Sequence, residues 1–133
     1  MMLTTRGRYA VMAITSLAKL SKGNSIALSA IANDQNIALN YLEQIFCKLR
    51  VAGIVTSIKG PGGGYKLAKN INKLNIYEII DAVEENIEIV RCGHKSKGCM
   101  PNSTKCSTHH LWEGLENLIG DYLKSKTLSD IVG

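Results

Sequence analysis

The sequence predicts a mostly α-helical fold with a small β-hairpin wing. Apolar residues recur at helical spacing in three segments between residues 6 and 52. A glycine-rich turn over 59–64 is flanked by two short runs with strand character. A further long apolar stripe occupies residues 111–123.

The first helix is read over Arg6 to Leu20, where Tyr9, Ala10, Ala13, Ile14, Leu17 and Leu20 share one face. Lys22-Gly23-Asn24-Ser25 ends it with turn residues. A short second helix opens at Leu28 or Ser29 and runs through Ala30, Ile31 and Ala32, with Asn33 to Asn36 read as a polar turn. The third helix covers Ala38 to Ala52, with Leu42, Ile45, Phe46 and Leu49 inward and Gly53 as its C-cap. Ile54 to Ile58 is a β-branched run. Lys59-Gly60-Pro61-Gly62-Gly63-Gly64 is a turn no helix would tolerate, and Tyr65 to Ala68 returns as a strand. Three helices and a hairpin in this order are a winged helix-turn-helix.

Beyond it, Asn75 caps a fourth helix over Ile76 to Glu85. Ile87 to Val90 reads as extended and Arg91 to Ser107 as a loop carrying three of the four cysteines. A long helix spans about Thr108 to Ser125, striped by Leu111, Leu115, Leu118, Ile119, Tyr122 and Leu123. Thr127 caps a last turn, Leu128 to Val132. We divide the chain into a DNA-binding domain, 1–70, and a C-terminal region, 71–133.

The 133 residues suit one domain or one domain with an appended element. No apolar run approaches the roughly 20 residues that span a bilayer, so no membrane partner is expected. The opening residues lack the apolar stretch and cleavage site of a signal peptide. A cytoplasmic location is therefore expected. Thiols are reduced there, so the cysteines point to metal before disulfides. The formal charge of +5 is uneven: residues 1–69 hold nine Lys/Arg and two Asp/Glu, residues 70–133 seven and nine. A basic front half suits a polyanion partner.

A helix can enter the major groove and offer hydrogen bonds to base edges. On the third helix Asn40, Tyr41, Glu43, Gln44, Lys48 and Arg50 lie opposite the apolar face. Gln44 can read adenine through two hydrogen bonds, and Glu43 can accept from cytosine. Lys48 and Arg50 suit phosphate, giving affinity and salt dependence. In the wing, Gly60, Gly62 and Gly63 permit close backbone approach, Pro61 stiffens the turn, and Lys59 stands at its base beside a minor groove. Arg6 completes the DNA-contact set. A nucleotide-binding loop is disfavoured, since a strand follows the glycines instead of a helix with Lys-Ser/Thr. An enzyme is not expected: there is no Cys-x-x-Cys pair and no nucleophile–base arrangement.

Cys92, Cys99, Cys106 and His109 are separated by six, six and two residues. That set can hold zinc as Cys₃His or an iron–sulfur cluster. Spacing alone leans to zinc, although structural zinc sites usually pair ligands in short knuckles and these gaps are wide. Cys47, on the third helix, is read as a partly buried small residue and not a ligand.

Leu3-Thr4-Thr5-Arg6-Gly7-Arg8-Tyr9-Ala10, Asn40-Tyr41-Leu42-Glu43-Gln44-Ile45-Phe46 and Lys59-Gly60-Pro61-Gly62-Gly63-Gly64-Tyr65 resemble the IscR-type regulators, bacterial winged-helix repressors of iron–sulfur cluster assembly genes. The resemblance covers nearly the whole chain. It implies a homodimer paired through the long C-terminal helix, a palindromic double-stranded operator, and a 2Fe–2S cluster on Cys92, Cys99, Cys106 and His109. It also implies that Glu43 helps choose between two classes of DNA site. Both inter-cysteine gaps are one residue longer than the family pattern, and His94 and His110 are alternative imidazoles. Lys59 stands where the family has arginine. Arg8 stands near the position where related nitric-oxide sensors place an acidic ligand. The competing expectation is a winged-helix repressor with zinc or a thiol switch as its input, controlling a pathway such as cysteine metabolism.

Overall fold

A computed structural model describes residues 4–84 and 107–133. The elements run α1 (Thr5–Ser21), α2 (Leu28–Gln35), α3 (Leu39–Val51), β1 (Val55–Ile58), β2 (Gly64–Leu67), α4 (Ile76–Val83), α5 (His109–Ser125) and α6 (Leu128–Val132). The mostly helical fold with its antiparallel hairpin is thus as the sequence predicts. The expected strand at 87–90 and the cysteine loop lie outside the described residues. Among those described, no helix is long and apolar enough to cross a membrane.

Local chemistry sets the boundaries. Thr4 caps α1 by accepting from the Gly7 amide, and Asn75 caps α4 by accepting from the Glu78 amide. Thr127 and Asp130 form a reciprocal capping box on α6. Hydrogen bonds from Thr127, its backbone amide foremost, hold the Asp130 carboxyl below its usual range. That cap favours the fold at neutral pH and is lost as pH falls through the lowered pKa.

One expectation needs correction. Asn33 to Gln35 are not a turn; they are the last turn of α2, and only Asn36 leaves the helix, at φ +54. Their polarity misled, because polar residues are satisfied here within a helix. Asp34 accepts from the Ser16 hydroxyl at 2.7 Å and from the Gln35 amide at 2.8 Å, tying α2 to α1. Helix α4 also stops earlier than expected: Val83 is its last residue, and Glu84 is extended at φ −119, ψ 135.

The core gathers Ala10, Ala13, Ile14 and Leu17 of α1, Ile31 of α2, and Leu42, Ile45, Phe46 and Leu49 of α3. Ile76, Ile79, Ile80 and Val83 of α4 and Leu128 of α6 close it. The end of the chain is stitched in by backbone: Ile76 donates to the Lys126 carbonyl at 2.9 Å, and Leu128 to that of Leu74 at 2.8 Å. Helix α5 packs on α4, where Lys124 Nζ lies 4.7 Å from the centre of the Tyr77 ring. Its opposite stripe is open, with Leu111 62%, Leu118 68% and Tyr122 61% exposed.

Candidate nucleic-acid interface and metal centre

Helices α2 and α3 meet through a three-residue connection, Asn36-Ile37-Ala38, in which Ile37 is buried. Burial of Leu42, Ile45, Phe46 and Leu49 fixes the rotation of α3. Asn40, Glu43, Gln44 and Arg50 are consequently exposed along its outer side. Lys48 is half-buried. Tyr41 is not part of the open face in the way the sequence suggested. Its ring packs edge-on against Tyr9, centroids 5.9 Å apart at 69°. Apolar ring area gains more from a neighbouring aromatic than from water. Cys47 is a second correction: it is exposed, not partly buried, because it falls between the inward positions 46 and 49 on the solvent side.

A shallow cleft of about 140 Å³ is lined by Arg6, Tyr41, Gln44, Ile45 and Lys48. The start of α1 therefore lies beside the outer edge of α3, and two cations flank Gln44. Arg6 is also tethered: its Nη1 donates to the Val83 carbonyl at 3.1 Å, at the end of α4.

The hairpin pairs Val55 with Leu67 through Ile58 with Gly64. A single residue from the α1–α2 connection adds a one-residue third strand, which sequence reading misses. Ile26 donates to the Tyr65 carbonyl at 2.9 Å, and Tyr65 donates back to the Ile26 carbonyl at 2.8 Å. Ser25 Oγ donates to the Gly62 carbonyl at 2.8 Å. On the other face Phe46 meets Tyr65 edge-on at 4.9 Å. The wing is thus held to the body on both sides. Gly64 must be glycine: a Cβ there would collide with the Ile26 carbonyl and come within 2.7 Å of the Ala27 nitrogen. Gly60 and Gly62 stand exposed at the tip with Lys59.

Glu84 follows Val83, the residue that Arg6 holds. Its side chain is buried, and one carboxylate oxygen accepts from the Thr4 amide at 3.2 Å and from the Thr4 hydroxyl. This places negative charge at the start of α1, where the helix dipole favours it. Gly7 makes room: a Cβ there would lie 3.1–3.3 Å from the carboxyl atoms. Gly→Ala inside a helix ordinarily stabilises by about 0.5–1 kcal/mol. Crowding a packed site costs about 1–3 kcal/mol. Gly7→Ala is therefore expected to lower stability by about 1 kcal/mol in urea unfolding, and to raise it in a Glu84→Ala background. Stabilisation in both backgrounds would mean that the contact exerts no strain.

Cys92, Cys99 and Cys106, and the spare His94, lie outside the described residues. Among those described, no three His, Cys, Asp or Glu side chains converge on one point. His109, the fourth expected ligand, is described, and the donor chemistry fits a metal. It is the first residue of α5, and only 2% of it is exposed. Its Nε2 lies 3.3 Å from Glu113 Oε2, while Nδ1 is buried without a hydrogen-bond partner. An imidazole nitrogen shut away from water with nothing to bond is an unsatisfied polar atom. His110 is exposed and packs edge-on against His109 at 5.4 Å.

Comparison with known proteins places this geometry. Residues 3–133 match the model of the Rrf2 family, described as iron-dependent transcriptional regulators. Over 132 residues the chain is 48% identical to a Neisseria meningitidis protein provisionally named an HTH-type transcriptional regulator, covering 99% of this chain and 88% of that one. It is 42% identical to the HTH-type transcriptional regulator IscR of Vibrio cholerae, covering 99% and 75%. Among solved structures, IscR of T. potens superposes with a TM-score of 0.79 at 30% identity, covering 97% of this chain and 84% of that one. CymR, the global cysteine regulator of B. subtilis, superposes with 0.80 at 30% identity, covering 97% and 94%. A winged helix with an exposed polar recognition helix, matched over its whole length, makes this chain a member of the Rrf2 family of transcriptional regulators.

Proposed function

We propose that this regulator is a homodimeric repressor of iron–sulfur cluster assembly genes that reports cluster supply through a 2Fe–2S group held by Cys92, Cys99, Cys106 and His109. The observation that carries this is the buried His109 imidazole, three residues after Cys106, with one ring nitrogen unfilled. When bound, the group supplies a centre whose occupancy falls when iron is short or oxidants abound. A neutral imidazole among thiolates makes the set more labile than four cysteines.

In this reading α3 enters the major groove. Gln44 and Glu43 read bases, Lys48, Arg50 and Arg6 neutralise phosphates, and Lys59, Gly60, Gly62 and Gly63 at the wing meet the backbone or minor groove. The open stripe of α5 pairs with a second copy. A two-fold dimer then requires half-sites about one helical turn apart. Glu43 discourages one class of site. Footprints of Glu43→Ala on both classes test this, since unchanged discrimination rules the role out.

Gln44→Ala is expected to weaken the best operator by about 1–3 kcal/mol and to relax one base position. Lys48→Ala is expected to weaken all sequences alike and to reduce the salt slope by about 1. Gel shifts over a salt series separate the two effects. The test of the whole reading is anaerobic purification with iron and sulfide analysis, then operator gel shifts with and without cluster. Colourless protein containing zinc would favour the second reading, a metal or thiol input of another kind. Its support is the equally good superposition on CymR, a cysteine regulator.

A further inference from the structure

We infer that Glu113 is a positioning residue for His109, fixing the imidazole so that Nδ1, and not Nε2, is the atom offered to metal. The inference rests on the cluster reading above and adds the identity of the ligating atom and of the residue that selects it.

Helical spacing brings the pair together, since residues four apart stand on one face. Glu113 Oε2 lies 3.3 Å from His109 Nε2. An ionised carboxylate can only accept a hydrogen bond. The shared hydrogen therefore belongs to Nε2, and the neutral ring keeps its lone pair on Nδ1. That is the same nitrogen that is buried with no partner. Leaving such an atom buried and unsatisfied is unfavourable, and a bond to metal removes the penalty. Nε2 cannot take that role without giving up Glu113.

The neighbouring imidazole lacks this arrangement. The residue four beyond His110 is Gly114, which has no side chain, and His110 is exposed. Of the two adjacent histidines, only His109 has both an orienting carboxylate and a sheltered free nitrogen. A carboxylate behind a ligating histidine fixes ring orientation and raises ligand basicity, and its loss typically costs 10–100-fold in metal affinity.

The test uses the full chain, purified without oxygen, with iron and sulfide measured first. Histidine labelled with ¹⁵N at Nδ1 alone or at Nε2 alone is incorporated, and the reduced protein is studied by pulsed EPR. The strongly coupled nitrogen is expected to change isotope only with the Nδ1 label. Glu113→Ala is expected to release its iron to a chelator 10–100-fold faster and to shift the midpoint potential. Glu113→Gln, which keeps an acceptor oxygen, should fall between, and His110→Ala should match wild type. In metal-free protein, ¹⁵N NMR should show His109 protonated at Nε2, and a tautomer mixture in Glu113→Ala. Strong coupling that follows the Nε2 label overturns the inference alone; no coupled nitrogen in cluster-loaded protein removes His109 from the ligand set and overturns the inference with it. Wild-type protein without iron or sulfide overturns the cluster reading and this inference with it.

Discussion

Phe46→Ala is expected to remove about 3–5 kcal/mol of stability, the usual cost of emptying a buried phenylalanine site. A domain of this kind holds roughly 5–15 kcal/mol in all, so the variant would stand near its unfolding threshold. Phe46 is fully buried on the inner face of α3, and its ring meets Tyr65 at 4.9 Å. The cavity would therefore open between α3 and the wing, the two elements that the proposed function sets on DNA. Urea midpoints should fall sharply, and operator affinity should drop more than at any single surface position. A loss under about 1 kcal/mol would show that the core collapses around the gap.

Gly64→Ala is expected to have the second largest effect. The added methyl would press on the Ile26 carbonyl and the Ala27 nitrogen, both backbone. Backbone cannot rotate aside as a side chain can. The rung between Ile26 and Tyr65 must break, forfeiting two hydrogen bonds at roughly 0.5–1.5 kcal/mol each. Backbone strain at φ +155 adds to the loss. Hydrogen exchange should then show the Tyr65 and Ile26 amides losing protection, with weaker operator binding but an intact helical circular dichroism signal. Unchanged exchange at Tyr65 would show that the wing does not need this rung.

The sequence disclosed what local chemistry determines. Five helices, the hairpin, the last turn at 128–132, and the caps Asn75 and Thr127 are legible because periodicity and capping act within a few residues. The outward placement of Glu43 and Gln44 followed from the inward leucines and isoleucines of the same helix. What was hidden depended on distant partners. Ile26 is a strand of one residue, too short for any period, and it is recognisable only once Tyr65 lies beside it. Asn33 to Gln35 read as a turn because Ser16, the partner that satisfies Asp34, is 18 residues away. Tyr41 looked outward until Tyr9 was placed against it. The contact of Thr4 with Glu84 spans 80 residues, and nothing near either residue announces it. Among the three histidines, the family pattern alone points to His109. Its burial and the Glu113 contact supply a physical reason that spacing did not contain.

The joint at the foot of α1 has one more consequence. Thr4 and Arg6 hold Glu84 and Val83, and Arg6 also borders the cleft beside Gln44 and Lys48. The chain leaves Glu84 directly into the segment that carries the cysteines. Thermodynamic linkage then binds the two ends in both directions. If loading the rear of the molecule tightens its grip on an operator by some factor, the operator must tighten that loading by the same factor at equilibrium. A promoter fragment added to the protein should therefore alter how readily iron is withdrawn from it, and a scrambled duplex should do so less.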